Sequence, residues 1–204
     1  MEATRQPVAQ TGLCVTEVDA GHTDLGESQP MRPLPQLCHQ QLPVEAMTLT
    51  HAEILETRTR QWPDEAACAA HAAAMAELPA LRDAFIELRG PLGAGKTTFA
   101  RHLLRALGVQ GRIKSPTYTV LEPYDLPGLA VSHFDFFRFE DPREWDDAGF
   151  REIFAAPGLK LVEWPQKAEA LLPTPDLRMH IEALDEARRE VTLQALTPRG
   201  VELL

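Results

Sequence analysis

The chain has 204 residues, of which 44% are apolar and 25% charged, with a formal net charge of −10; that allows one domain or two small ones and an adequate hydrophobic core. An isoelectric point near 5.2 argues against unaided, charge-driven gripping of nucleic acid, which rests on Lys and Arg neutralising phosphates. No run approaches the ~20 uncharged apolar residues of a membrane span, the start lacks a basic segment followed by an apolar one, and Cys14, Cys38 and Cys68 form no CxxC pair, so a soluble, cytoplasmic protein with reduced thiols is expected.

Residues 1–46 carry Pro7, Pro30, Pro33, Pro35 and Pro43, repeated Gln, and no sustained apolar period. They read either as a disordered leader or as a stretch upstream of a true start at Met47, ahead of one domain over 47–204. Beyond about Thr57 the pattern becomes regular. Pro63-Asp64 starts an Ala-rich helix over 65–78. A short strand over 84–89 ends at Gly90, and an amphipathic helix over 96–107 ends at Gly108. Strands over 117–122 and 129–134 flank Leu126-Pro-Gly128, which predicts an antiparallel hairpin. A helical stretch opens at Asp141-Pro142, a buried strand covers 159–163, and 177–184 with 190–196 reads as a final hairpin. The expected class is α/β, a P-loop NTPase-like three-layer sandwich with a mixed parallel and antiparallel sheet.

Gly90-Pro-Leu-Gly93-Ala-Gly95-Lys96-Thr97-Thr98 matches GxxxxGK[ST] in full, between a predicted strand and a predicted helix. Glycines let successive N–H groups turn inward onto phosphate oxygens, and the helix that follows aims its positive end at the same place. The chemistry assigns Lys96 to the β/γ-phosphates and the Thr97 hydroxyl to Mg²⁺. Asp135 and Glu163 each end an apolar strand and are candidates for the carboxylate such a site needs. His133 is more readily a hydrogen-bonded core residue than a functional one. Trp62 reads as a packing residue before a base-stacking one, and Arg101, Arg105, Arg112 and Lys114 read as a solvated basic stretch. Asp125-Leu-Pro-Gly128 spells DxxG, but it falls in the predicted hairpin turn. The Asn/Thr-Lys-x-Asp element that reads guanine is absent from a chain with no asparagine, so ATP is the expected nucleotide. From the residues alone, an ATPase and a small-molecule or nucleotide kinase both fit the P-loop, although no compact Arg-rich lid is visible.

Gly93-Ala-Gly-Lys-Thr-Thr98, Lys114-Ser-Pro-Thr-Tyr-Thr119, His133-Phe-Asp135 with Arg138, Asp141-Pro142 and Glu163-Trp-Pro165 occur in the order and spacing of the bacterial TsaE (YjeE) ATPases, which the chain resembles over about residues 60–196. The resemblance implies a P-loop ATPase required for threonylcarbamoylation of adenosine 37 in ANN-decoding tRNAs. On that footing it acts on a complex of TsaB and TsaD homologues and reaches tRNA only through that complex, with ATP and Mg²⁺ as cofactors and no membrane association. It further implies that Leu92, Gly93, Ala94, Gly95, Lys96, Thr97 and Thr98 cradle the phosphates. Thr97 and Glu163 carry the metal, Asp135 lies near the γ-phosphate, residues 115–119 form a switch-like segment, and Glu65 and Gln166 lie close to the nucleotide. Pro91 stands where the family has Asp, and Phe136-Phe137 where Leu-Tyr is commoner; neither removes a group the chemistry requires.

Overall fold

The computed structural model describes residues 53–204; both readings of residues 1–46 lie outside them. In chain order the elements are β1 (Glu56–Trp62), α1 (Glu65–Ala76), β2 (Phe85–Arg89), α2 (Lys96–Ala106), β3 (Leu121–Leu126), β4 (Leu129–Asp135), α3 (Arg143–Asp147), α4 (Phe150–Ala155), β5 (Leu159–Glu163), β6 (Leu177–Ala183), β7 (Arg189–Ala195) and α5 (Pro198–Val201). The seven strands form one sheet in the order β1-β7-β6-β2-β5-β4-β3. Neighbours from β6 through β2 and β5 to β4 run parallel. The outer pairs β1–β7, β7–β6 and β3–β4 are antiparallel. The expected mixed α/β sandwich is therefore the observed one.

Side chains alternate across a strand, and here the alternation separates two cores. Ile86 and Leu88, Leu159 and Leu161, Val131, and Met179 and Ile181 point to the face covered by α1 and α2, where they meet Phe99, Leu103 and Leu104. Phe85, Phe134 and Val162 point the other way, into an aromatic cluster with Phe136, Trp145 and Phe150. Phe134 and Phe150 meet edge to face with ring centroids 5.3 Å apart, one of the geometries aromatic pairs prefer. Helix α1 starts where Asp64 accepts a hydrogen bond from Ala67 N at 2.8 Å, the N-cap that Pro63-Asp64 announces.

Two expectations need correction. The strand placed over 117–122 begins only at Leu121. The residues before it form a turn in which Val120 N donates to Pro116 O, because the hydroxyls of Ser115 and Thr117 are drawn to Asp135. β1 has no counterpart among the predicted elements: five of its seven residues are exposed, so an edge strand of alternating Thr and Arg offers no apolar period to read. Pro123 lies in β3, the opposite edge strand, one of the few strand positions that tolerate proline.

Candidate functional site

Strand β2 runs to Arg89 at the C-terminal edge of the parallel sheet, and residues 90–95 turn from it into α2. The turn requires glycine at two places. Gly90 has φ +135 and a Cβ there would overlap the Ile181 carbonyl; Gly95, the N-cap of α2, has φ +111, a region closed to most side chains. No side chain caps α2, so its first N–H groups remain available to an anion at the positive end of the helix. The Lys96 ammonium donates to Gly90 O and Pro91 O, both at 2.8 Å, and lies 3.9 Å from the centre of the Trp164 ring. Burial pushes its pKa down, while the negative charges of Glu163 and Asp135 oppose that shift. An ammonium held by two loop carbonyls, with no carboxylate of the described residues in contact, is free to turn to a phosphate.

The two acids end neighbouring strands, and the register pairs Asp135 with Glu163. Both are almost fully buried and both face the α2 side of the sheet. Glu163 Oε2 accepts from the Thr97 hydroxyl at 2.7 Å, and Oε1 lies 2.9 Å from His133 Nε2. Asp135 Oδ2 accepts from the hydroxyls of Ser115 and, at 2.8 Å, Thr117; its Oδ1 accepts from Phe137 N at 2.9 Å. Thr97 and Glu163 together offer a hydroxyl and a carboxylate at the helix start, the sparse oxygen set that suits Mg²⁺ held mainly by phosphates. Among the described residues no cluster of three or more His, Cys, Asp or Glu exists that would make a cage for a metal by itself.

Beside the loop lies a cavity of about 300 Å³ lined by Trp62, Asp64, Glu65, Cys68, Ala94, Gly95, Thr98, Glu186, Ala187 and Arg189. Glu65 is thus brought to the P-loop, where its carboxylate sits 3.0 Å from His102 Nε2. Trp62 is buried, stacked on Phe99 at 5.7 Å and donating to His71 Nδ1 at 3.2 Å, so packing occupies it. Burial pushes the Cys68 thiol up to about 12, with Glu65 adding to the effect; it is wall, not nucleophile. Gln166 is not brought to this cavity: it is exposed in the short turn Pro165–Lys167 and lines a separate hollow with Phe139 and Pro142.

Sequence reasoning misses Arg189. Arg189 donates to Ala94 O at 2.8 Å and to the carbonyls of Asp185, Glu186 and Arg188, tying the β6–β7 hairpin to the P-loop; no local motif marks it. His133, expected as a hydrogen-bonded core residue, is fully buried with Nε2 2.9 Å from Glu163 Oε1; the sequence alone does not name that partner. The position of His133 two residues before Asp135 on one strand was the available signal, since alternation puts both on one face.

The TsaE family, described as threonylcarbamoyl adenosine biosynthesis protein TsaE, matches residues 62–191. The tRNA threonylcarbamoyladenosine biosynthesis protein TsaE of Haemophilus influenzae is 36% identical over 154 residues, covering 74% of this chain and 97% of that protein. The protein of the same name from Bacillus subtilis is 38% identical over 114 residues, 56% of this chain and 71% of its own. Among solved structures, Bacillus subtilis YdiB superposes with a TM-score of 0.59 at 27% identity, covering 74% of this chain and 93% of that one. No described helix is long and apolar enough to cross a membrane. With the P-loop, the paired acids and the Ser115–Thr119 segment all inside the matched residues, the chain belongs to the TsaE family.

Proposed function

We propose that the chain is a Mg²⁺-dependent ATPase that supports a TsaB–TsaD-type complex in threonylcarbamoylation of adenosine 37 of ANN-decoding tRNAs. The observation that carries the reading is the junction of Thr97 with Glu163 at 2.7 Å, where the uncapped start of α2 meets a buried carboxylate. The backbone of residues 92–98 binds the phosphate chain, and Lys96 leaves the carbonyls of Gly90 and Pro91 to neutralise charge on the β- and γ-phosphates. Thr97 and Glu163 would hold Mg²⁺, which when bound would supply positive charge to offset that developing on the phosphate oxygens. Asp135 orients the water that attacks the γ-phosphorus; the bond to the β-phosphate oxygen breaks, leaving ADP and inorganic phosphate. Glu65 and its cavity receive the nucleoside end.

In the free chain both Asp135 oxygens already accept hydrogen bonds, from Ser115, Thr117 and Phe137. A carboxylate so occupied is poorly placed for water, which supports slow hydrolysis until a partner moves the segment. Phosphate release is the test, with and without TsaB and TsaD homologues. Slow release alone, acceleration by the partners and recovery of all the γ-phosphate as inorganic phosphate are expected. Fast partner-free turnover, or transfer of the phosphate to a small acceptor, overturns the reading, the second outcome in favour of a kinase.

A further inference from the structure

The imidazole of His133 is fully buried, and its Nε2 lies 2.9 Å from Glu163 Oε1. An ionised carboxylate only accepts hydrogen bonds, so Nε2 carries the proton and donates it. The other oxygen of Glu163 is taken by Thr97, so each carboxylate oxygen has its own donor and rotation of the group is restrained. They come from different elements: Thr97 from the first turn of α2, His133 from β4, the parallel neighbour of β5. Among the described residues Nδ1 of the same ring is the one buried side-chain polar atom without a hydrogen-bond partner. A histidine kept only to fill the core would leave both nitrogens as a burden, whereas an aliphatic side chain would leave none. The ring is explained by what its Nε2 does.

We infer that His133 is a positioning residue for the metal-binding carboxylate, orienting Glu163 so that Mg²⁺–nucleotide is taken up with one fixed geometry. Groups that orient metal ligands in this way commonly change metal affinity by about 10–100-fold when removed. The inference rests on the proposed Mg²⁺–ATP reading of the site, and the experiment separates the two.

The probe is a fluorescent, non-hydrolysable ATP analogue, with its binding titrated against Mg²⁺ and thermal unfolding recorded for each variant. His133→Gln presents an amide N–H near the place of Nε2, and His133→Asn presents one near Nδ1. The first is expected to keep the Mg²⁺ half-saturation within about 3-fold of the parent, the second to raise it by about 10-fold or more, with Mg²⁺-free binding of the analogue unchanged in both. His133→Leu should behave like the Asn variant even if it is the more heat-stable protein, which separates orientation from packing. Equal Mg²⁺ dependence in the Gln and Asn variants, or losses that follow thermal stability rather than the placed N–H, overturns the role. If Glu163→Gln also leaves the Mg²⁺ dependence intact, the reading of the site falls with it; if only the histidine series is flat, that reading stands.

Discussion

Asp135 and Glu163 occupy equivalent places, the last residues of adjacent parallel strands in direct register, but what holds them differs. Glu163 is gripped by Thr97 and His133, both on regular elements packed into the core. Asp135 is gripped by Ser115 and Thr117, which belong to a turn between α2 and β3. A carboxylate fixed by a helix and a strand has one geometry, suited to a metal. One fixed by loop hydroxyls loses or gains hydrogen bonds when the loop moves, so its geometry depends on the conformation of residues 115–117. Strain marks both places: among the described residues, the non-glycine residues with positive φ are Val120 and Trp164. Val120 O accepts from Asp135 N at 2.9 Å, and Trp164 directly follows Glu163. Left-handed backbone at such residues costs about 1–3 kcal/mol and persists where surrounding structure enforces it.

The largest expected effect breaks this division directly. Glu163→Ala removes the rigid acid and should lower Mg²⁺-dependent, partner-stimulated hydrolysis by on the order of 10²–10³-fold. Asp135→Ala should also slow turnover, yet leave the Mg²⁺ dependence of nucleotide binding within about 3-fold of the parent, because the proposed metal ligands Thr97 and Glu163 are untouched. A Glu163→Ala protein with unchanged turnover would transfer the metal role to Asp135 and erase the distinction between the two acids.

The two acids also differ in how far the sequence disclosed them. Both were legible as strand ends beside a P-loop, because apolar runs with a terminal acid survive single-sequence reading. The central strands β2 and β5 fell where expected, being buried on both faces with several apolar neighbours each. What holds the acids was less legible. Residues 117–120 read as the start of a strand, since Thr, Tyr, Thr and Val favour strands locally, and only the long-range pull of Asp135 on Ser115 and Thr117 overrides that preference. His133 was read as core, which burial supports, but its contact with Glu163 depends on strand register, and register is set by the whole sheet. Gln166 was expected near the nucleotide from its place after Glu163-Trp-Pro165. It lies in the short turn Pro165–Lys167, directly after the left-handed Trp164, and lines a hollow with Phe139 and Pro142 rather than the cavity beside the P-loop.

A smaller effect sharpens the contrast on the Asp135 side. Removing both loop hydroxyls, with Ser115→Ala and Thr117→Val together, frees Asp135 Oδ2 from its two side-chain donors. If those bonds restrain the free chain, partner-free phosphate release should rise by about 3–10-fold, the equivalent of one net hydrogen bond in the barrier. The stimulation by TsaB and TsaD homologues should shrink correspondingly. The reverse result, slower release alone and unchanged stimulation, would mean the hydroxyls help catalysis rather than delay it, and Asp135 would no longer be the conditional member of the pair.

The smallest expected effect concerns Val120, whose φ of +64 places a β-branched residue in the left-handed region. Val120→Gly relieves that strain but gives up a half-buried side chain packed beside the aromatic cluster and adds about 0.5–1 kcal/mol of unfolded-state entropy. These contributions oppose one another, so the net stability change should stay within about 1 kcal/mol, or roughly 2–4 °C in Tm. The turn itself should loosen, because glycine no longer confines the backbone to the conformation that presents Val120 O to Asp135 N. Hydrogen exchange should therefore quicken at the Asp135 amide and across 115–120, while the Lys96–Glu163 side keeps its protection. Exchange that quickens equally around both acids would show that they belong to one cooperative unit. Their different partners would then be a matter of packing alone.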